Sequence, residues 1–255
     1  MQRLKRSPDL FEAPLEEWFF KEISKQSFFR RMNLEDSDLY IEAFTHKSFI
    51  HEYKIKKLRS YERLEFLGDS LIQLWVSGRL FHQYKSLDEG DLSKIRSSIV
   101  NEEFLATLFD LLEVSEFILL GKGEIKNKGF ERSSLKCDVF ESLVGAIYLS
   151  SSMGKVEQFL RLIEVLYKEK YHEEMISFDR IKNFDPKTSL QELFMEHKKI
   201  IPTYHSEHLE TGEYKVKLLV DNKSIGETIK KSKKQAEKEL AKIALEEKLY
   251  LGESK

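Results

Sequence analysis

Hydrophobic and polar positions change their spacing once along the chain, near residue 185. Before residue 185, apolar residues recur every three or four positions in several segments, as is typical of amphipathic helices. After it come a helical pattern (TSLQELFMEHK), three short segments of alternating polarity and a final helical pattern (SKKQAEKELAKIALEEKL). The spacing predicts an all-α domain over residues 15–178, a linker at 179–184 and a small α-β-β-β-α domain over 185–252, with a flexible tail at 1–14.

Inside the first domain the pattern predicts a helix beginning near Leu15, a helical segment in LYIEAFTHKSFI and one strong helix across residues 92–108. The stretch FILLGKGEIKNKGFERSSLK carries three glycines and mixed charges. It is interpreted as a flexible surface loop, because no strand leads into it as a phosphate-binding loop would require.

The segment ERLEFLGDSLIQLWVSGRLF, residues 62–81, combines apolar residues with regularly spaced acids. On a helix, Glu62, Glu65 and Asp69 fall within an arc of about 60°. The apolar residues around this acidic column predict a largely buried helix. Buried carboxylates so close together need a cation, and a hard divalent ion such as Mg²⁺ or Mn²⁺ suits oxygen ligands. The alternative is an ordinary solvated helix face.

A second acidic pair lies in CDVFESLVGAIYLS, where Asp138 and Glu141 are three residues apart among apolar neighbours. Gly145 and Ala146 would allow another helix to approach closely. If this helix packs against residues 62–81, the two form a four-carboxylate cage of the kind that holds divalent metals in helical proteins. The alternative is two unrelated helices with separate surface acids.

Composition adds few constraints. The net charge of −2 excludes a global basic field, so nucleic-acid binding would need a local patch such as Lys230, Lys231, Lys233 and Lys234, which is otherwise a solvated charge run. The single cysteine, Cys137, excludes an intramolecular disulfide and is interpreted as a small core residue, and His46 as a hydrogen-bonded structural group. We expect a soluble, cytoplasmic protein, since no long apolar run occurs.

Several blocks, in order and spacing, closely resemble bacterial ribonuclease III. They are SYERLEFLGDS, EGDLSKIRSSIVNEEFLA, GKGE and DVFESLVGAIYL. DPKTSLQELF, PTYHSE and SKKQAEKELAKIAL resemble the double-stranded RNA-binding domain that this family carries at its C-terminus. The resemblance implies a homodimeric, Mg²⁺-dependent endoribonuclease in which Mn²⁺ substitutes. It would cut double-stranded RNA in rRNA and mRNA precursors, leaving 5′-phosphate and 3′-hydroxyl ends.

Matched residue by residue, the resemblance implies three groups of site residues. The metal-binding carboxylates would be Glu65, Asp69, Asp138 and Glu141, with Asp69 and Glu141 as the catalytic pair. The acids of the cleavage groove or dimer would be Glu62 and Glu89. The RNA-binding residues would be Gln191, Glu192, Lys231, Lys233 and Lys234.

This chain departs from the family pattern at a few positions. Cys137 replaces a usual alanine, Ser150 a usual aspartate and Lys230 a common glycine, and HLETGEYK stands where members usually carry a Gly-Pro-x-His segment.

Two other functions compete with the nuclease. A catalytically silent RNA binder typically lacks the full carboxylate set. A di-metal oxidoreductase of the helical-bundle kind needs Glu-x-x-His pairs, which His46, His51 and His82 do not provide.

Overall fold

A computed structural model describes residues 15–34, 37–55, 57–177 and 186–251. The chain divides into two compact units between Ile176 and Ser177. The predicted tail at 1–14 and the predicted linker at 179–184 lie outside the described residues.

The described part of the first unit is helical, as the sequence predicts. Its helices are α1 (Leu15–Ile23), α2 (Ser27–Met32), α3 (Asp38–Ala43), α4 (Lys47–Tyr53), α5 (Glu62–Gln83), α6 (Glu89–Ile99), α7 (Glu102–Asp110), α8 (Lys122–Lys126), α9 (Ser133–Ser150) and α10 (Met153–Tyr171). Helix α9 is the centre of this unit, since it packs against α3, α5 and α7. Its apolar residues, among them Val139, Phe140 and Leu143, are fully buried.

Helix α5 is less buried than its apolar composition predicts. Phe66, Leu74 and Phe81 are 79%, 63% and 70% exposed, whereas Leu64, on the side facing α9, is buried. Residues 66, 74 and 81 are spaced by eight and seven, so they share one stripe of the helix. No element within the described ranges covers that stripe, so the prediction of a largely buried helix is wrong for this side of α5.

Capping residues break two segments that the pattern predicts as continuous. The segment over 92–108 divides into α6 and α7, because the Asn101 side chain accepts a hydrogen bond from the Phe104 N–H at 3.0 Å and begins a new helix. The segment over 39–50 divides into α3 and α4. There the His46 side chain caps α4 by accepting a hydrogen bond from the Ser48 N–H at 3.2 Å.

The stretch interpreted as a surface loop begins inside the core. Ile118, Leu119 and Leu120 are buried. The Leu119 N–H donates to the Phe44 carbonyl at 2.8 Å, and the Leu119 carbonyl accepts from the His46 N–H at 3.0 Å. A buried backbone needs hydrogen-bond partners, and this short parallel pairing supplies them. The interpretation as a flexible loop is wrong for residues 118–120, and it also misses helix α8 and the first residues of α9.

The second unit has the predicted α-β-β-β-α order. Helix α11 (Pro186–Lys198) precedes strands β1 (Thr203–His208), β2 (Tyr214–Val220) and β3 (Lys223–Lys230), and helix α12 (Lys233–Glu246) follows them. The strands form one antiparallel sheet in the order β1-β2-β3. Alternate residues of β2, Val216 and Leu218, are buried against both helices in a core completed by Leu190, Phe194, Ala236, Leu240, Ala241 and Ala244.

No helix in the described ranges is long and apolar enough to span a membrane.

Candidate functional site

Helices α5 and α9 cross at two glycines, and this crossing brings the acidic residues together. A Cβ atom on Gly68 would overlap the backbone carbonyl of Glu141, and one on Gly145 would overlap the carbonyl of Leu64. Only glycine, whose side chain is a single hydrogen atom, allows the two helix backbones to approach this closely. The predicted close approach at Gly145 is confirmed, and Gly68 is its counterpart on α5.

The crossing places the two acidic pairs opposite each other. Glu65 and Asp69 lie on α5, and Asp138 and Glu141 lie on α9. Glu141 is only 8% exposed, whereas the other three are partly exposed. The alternative of two unrelated helices with separate surface acids is therefore excluded.

Burial, and after it the charges of neighbouring carboxylates, raises the pKa values of the acids at this crossing. Burial, followed by the charges of Asp69, Glu65 and Asp138, raises the pKa of Glu141 to about 8. Burial and the charges of Asp138, Glu62 and Asp69 raise the pKa of Glu65 to about 7. Burial also raises the pKa of Asp138. The site is short of positive charge, and an added cation would relieve this repulsion.

Two side chains hold the acids in fixed orientations. Gln73 Nε2 donates to both carboxylate oxygens of Asp69, at 2.8 and 2.9 Å. The Tyr61 hydroxyl donates to Asp138 Oδ2 at 2.9 Å. Burial, together with the adjacent Asp138 charge, raises the Tyr61 pKa, so this hydroxyl remains a donor.

Cys137 lies beside the most buried acid. Its thiol donates to Glu141 Oε1 at 3.7 Å, one helical turn away. Ligand atoms from Cys137, Asp138 and Glu141 all lie within 4.8 Å of one another. Burial and the charges of Glu141 and Asp138 raise the thiol pKa, which favours the neutral thiol. The interpretation as a core residue is confirmed by its burial, but it omits this contact.

The other predicted acids occupy different positions. Glu62 lies at the start of α5 and accepts from Lys47 Nζ at 3.0 Å and from Ser60 Oγ at 2.9 Å. These contacts lower the Glu62 pKa. Glu62 therefore lies at the rim of the carboxylate cluster, which consists of Glu65, Asp69, Asp138 and Glu141. Glu89 is exposed in the first turn of α6, where its carboxylate accepts from the Ser93 hydroxyl at 2.8 Å.

A cavity of about 240 Å³ opens beside the cluster. Glu65, Asp138 and Glu62 form its acidic side, and three other lining residues carry cationic or ionisable groups. These groups are His46, Lys47 and Arg132. An anionic ligand could therefore meet positive side chains while its reacting atoms face the carboxylates.

The donor set fits a hard divalent cation. The carboxylates supply oxygen ligands, which Mg²⁺ and Mn²⁺ prefer, and Asp138 and Glu141 have ligand atoms within 4.8 Å of each other. Burial and neighbouring negative charges raise the pKa values of Glu65, Asp138 and Glu141, and a bound cation would supply a compensating charge. Such a charge would favour their ionised forms.

The predicted RNA-binding residues of the second unit lie on its surface. Lys231, Lys233 and Lys234 are exposed where β3 ends and α12 begins, next to Ser232 at the N-cap. Gln191 and Glu192 are exposed on α11. Lysines at a helix N-terminus oppose the helix dipole, which is compatible with a polyanion binding there.

The segment HLETGEYK forms a tight connection between β1 and β2. The Leu209 N–H donates to the Glu213 carbonyl at 2.8 Å, and the Gly212 N–H donates to the Leu209 carbonyl at 2.9 Å. Gly212 has a φ of +81°, which glycine adopts without strain. The connection closes on itself, so a long protruding loop is absent between these two described strands.

Sequence reasoning missed Tyr61, Gly68 and Gln73. Gln73 follows Asp69 by four residues, so helical spacing alone could have indicated this contact. Tyr61 contacts Asp138 across 77 positions of sequence, and Gly68 acts through its contact with α9. Neither of these long-range contacts leaves a local pattern.

Comparison with known proteins agrees with this arrangement. Residues 36–166 match the family model described as Ribonuclease-III-like, and residues 186–248 match the double-stranded RNA binding motif. Ribonuclease 3 of Streptococcus thermophilus is 39% identical over 82% of this chain and 90% of its own length. Ribonuclease 3 of Streptococcus pneumoniae strain Hungary19A-6 is 40% identical over 83% of this chain and 90% of its own length.

A solved nuclease domain is similar to the helical unit of this chain. The nuclease domain of ribonuclease III from Campylobacter jejuni, studied for flexibility in a region involved in dimer formation, is 39% identical with a TM-score of 0.50. The match covers 55% of this chain and 96% of that domain. The chain therefore belongs to the ribonuclease III family of endoribonucleases, and its second unit is a double-stranded RNA-binding domain.

Proposed function

We propose that this protein hydrolyses phosphodiester bonds in double-stranded RNA with Mg²⁺ held by Glu65, Asp69, Asp138 and Glu141. The observation that carries the proposal is the crossing of α5 and α9 at Gly68 and Gly145, which places two acidic pairs against each other. Mn²⁺ would substitute, since it shares the preference for oxygen ligands.

The residues of the chain hold and orient the reacting groups. When bound, two divalent ions supply an activated water, a stabilised leaving oxygen and neutralised phosphate charge. Tyr61 fixes Asp138 and Gln73 fixes Asp69, so neither carboxylate has to reorient on binding. Asp69 and Glu141 are the acids closest to the chemistry in this proposal.

The cavity beside the cluster would receive the RNA backbone. Lys47 and Arg132 would neutralise phosphate charge at its rim while Glu65 and Asp138 face the scissile bond. Attack of water on phosphorus with departure of the 3′ oxygen leaves a 5′-phosphate and a 3′-hydroxyl. Natural targets of this kind are duplex segments in rRNA and mRNA precursors.

The second unit would hold the duplex by its shape. Duplex RNA is recognised through phosphates and 2′-hydroxyls across the minor groove, for which exposed lysines and polar side chains suffice. Lys231, Lys233 and Lys234 would contact phosphates, and Gln191 and Glu192 would contact the minor groove. The tight β1–β2 connection offers little reach for another groove contact.

The exposed stripe of α5 supports a homodimer. Phe66, Leu74 and Phe81 form an exposed apolar row along this helix. One carboxylate cluster cuts one strand, so cutting both strands of a duplex calls for two clusters related by a two-fold axis. Glu62 and Glu89 would border the cleavage groove or the dimer contact.

The domain boundaries proposed here are 15–178 for the nuclease domain and 185–252 for the RNA-binding domain. Deleting residues 185–255 would then leave a folded metal-binding unit with weakened duplex affinity.

Substrate discrimination tests the proposed activity directly. The protein should cut a long RNA duplex in Mg²⁺ and leave single-stranded RNA and duplex DNA of the same sequence intact. Chelation of the metal should stop cleavage. Cleavage of duplex DNA at the same rate, or cleavage of RNA that persists after chelation, would contradict the proposal.

A further inference from the structure

The carboxylate cluster contains one donor atom that a magnesium site does not require. Cys137 Sγ lies 3.7 Å from Glu141 Oε1, and ligand atoms of both residues and of Asp138 lie within 4.8 Å of one another. Magnesium selects oxygen ligands, whereas thiolates select softer ions such as zinc. The sulfur therefore changes which metals this site can hold.

The sulfur–oxygen separation suits a tetrahedral ion. Zinc binds sulfur at about 2.3 Å and carboxylate oxygen at about 2.0–2.2 Å, so two such ligands at a tetrahedral angle lie about 3.5–3.7 Å apart. The distance from Cys137 Sγ to Glu141 Oε1 is 3.7 Å before any ion binds. A cysteine and a glutamate four residues apart on one helix can thus act as a chelating pair without movement of the backbone.

We propose that Cys137, Asp138 and Glu141 form a binding site for a thiophilic divalent ion of the zinc class, which competes with Mg²⁺ and inhibits the nuclease. The inhibition rests on the proposed function, because it requires that Mg²⁺ use Asp138 and Glu141. The binding of a thiophilic ion does not rest on the proposed function. The proposed function places a divalent metal at Asp138 and Glu141, and the Cys137 thiol adds a soft donor beside them.

Binding can be observed without any RNA. The chain contains one cysteine, so an ultraviolet sulfur-to-cadmium charge-transfer band has a single possible source. Titration of the full-length protein with Cd²⁺ should give this band with one ion per chain. Cys137→Ser, which keeps the size of the side chain but offers a hard donor, should abolish the band. Near-identical circular dichroism and melting of both proteins would establish that the variant is folded.

The carboxylates and Mg²⁺ provide the remaining controls. Asp138→Asn and Glu141→Gln keep the thiol but should each weaken Cd²⁺ binding by about tenfold or more, since each removes an anionic ligand. A large excess of Mg²⁺ should suppress the band. Absence of the band in the parent, a band unaffected by both carboxylate variants, or a band insensitive to Mg²⁺ would overturn the proposal.

Measuring inhibition by Zn²⁺ distinguishes the proposed metal site from the proposed nuclease activity. Zn²⁺ should inhibit Mg²⁺-supported cleavage by the parent at a concentration about tenfold or more below that needed for Cys137→Ala. Equal sensitivity of the two proteins would contradict the inhibitory role. If neither protein cuts RNA while the cadmium band obeys every control, the metal site stands and the proposed nuclease function fails.

Discussion

The Tyr61 hydroxyl donates a hydrogen bond to Asp138 Oδ2 at 2.9 Å, joining the start of α5 to the middle of α9. Tyr61 is itself held by its backbone, because its N–H donates to the Thr45 carbonyl at 3.0 Å. Thr45 lies in the short pairing with Leu119. The buried backbone bond thus holds Tyr61 in place, and the Tyr61 hydroxyl in turn orients Asp138, an acid proposed to hold metal.

Replacing Tyr61 by Phe should weaken metal binding while keeping the ring packed. Loss of an outer hydrogen bond to a metal ligand typically lowers metal affinity by about 10–100-fold. The Mg²⁺ concentration for half-maximal cleavage should rise by that factor, and the rate at saturating Mg²⁺ should approach that of the parent.

Tyr53→Phe is the matched control for this change. The Tyr53 hydroxyl is buried and makes no hydrogen bond with any described residue, so its removal should leave the Mg²⁺ requirement unchanged. Equal Mg²⁺ requirements in Tyr61→Phe and the parent would show that the bond to Asp138 does not orient the acid.

Gly68→Ala should disrupt the crossing of α5 and α9. The added methyl would overlap the Glu141 carbonyl, so the helices must separate. Overpacking of this kind costs about 1–3 kcal/mol or more in unfolding free energy. Thermal unfolding should occur at lower temperature, and metal affinity should fall because the acidic pairs move apart.

Gly78→Ala tests the same substitution in the same helix without the clash. Gly78 is exposed and has no atom within 4 Å of an added Cβ. Alanine exceeds glycine in helix propensity by about 1 kcal/mol, so this variant should be at least as stable as the parent. Equal stability of the two alanine variants would refute the role of Gly68.

Local spacing was sufficient to predict the acids but not their surroundings. Glu65 and Asp69 follow helical periodicity, and Asp138 and Glu141 stand out among apolar neighbours. Exposure of Phe66 depends on which neighbours cover α5, a tertiary property that periodicity does not contain. Burial of Leu119 depends likewise on pairing with Phe44, 75 positions earlier in the chain.

Phe66→Ala should weaken the proposed dimer. A large aromatic side chain that is 79% exposed in one chain is a candidate anchor of an interface. The parent should sediment at about 60 kDa, twice the 30.1 kDa chain. Loss of an anchor residue should raise the dimer dissociation constant by about 30-fold or more.

Ile201→Ala, an exposed apolar residue of the second unit, is the control and should sediment as the parent does. A parent that is monomeric at micromolar concentration and still cuts both strands at paired positions would refute the dimer.

Replacing Lys231, Lys233 and Lys234 together by Ala should weaken duplex binding without changing sequence preference. The slope of log affinity against log salt should fall by about one unit for each phosphate that the variant no longer binds. Lys242→Ala, further along α12 and paired with Glu246, should leave the slope unchanged. A triple variant with the parent's slope would assign these lysines to an ordinary solvated surface.

Single-turnover cleavage by Glu141→Gln tests whether Glu141 takes part in the metal-dependent cleavage. The substitution keeps the shape of the side chain and removes one anionic ligand where charge develops in the transition state. We predict that cleavage of duplex RNA in Mg²⁺ falls by orders of magnitude while duplex affinity stays within a few-fold, and that the exposed control Glu103→Gln cuts normally. Cleavage by Glu141→Gln at the parent's rate would refute the catalytic role of Glu141, and equal losses of binding and cleavage would identify Glu141 as a structural acid.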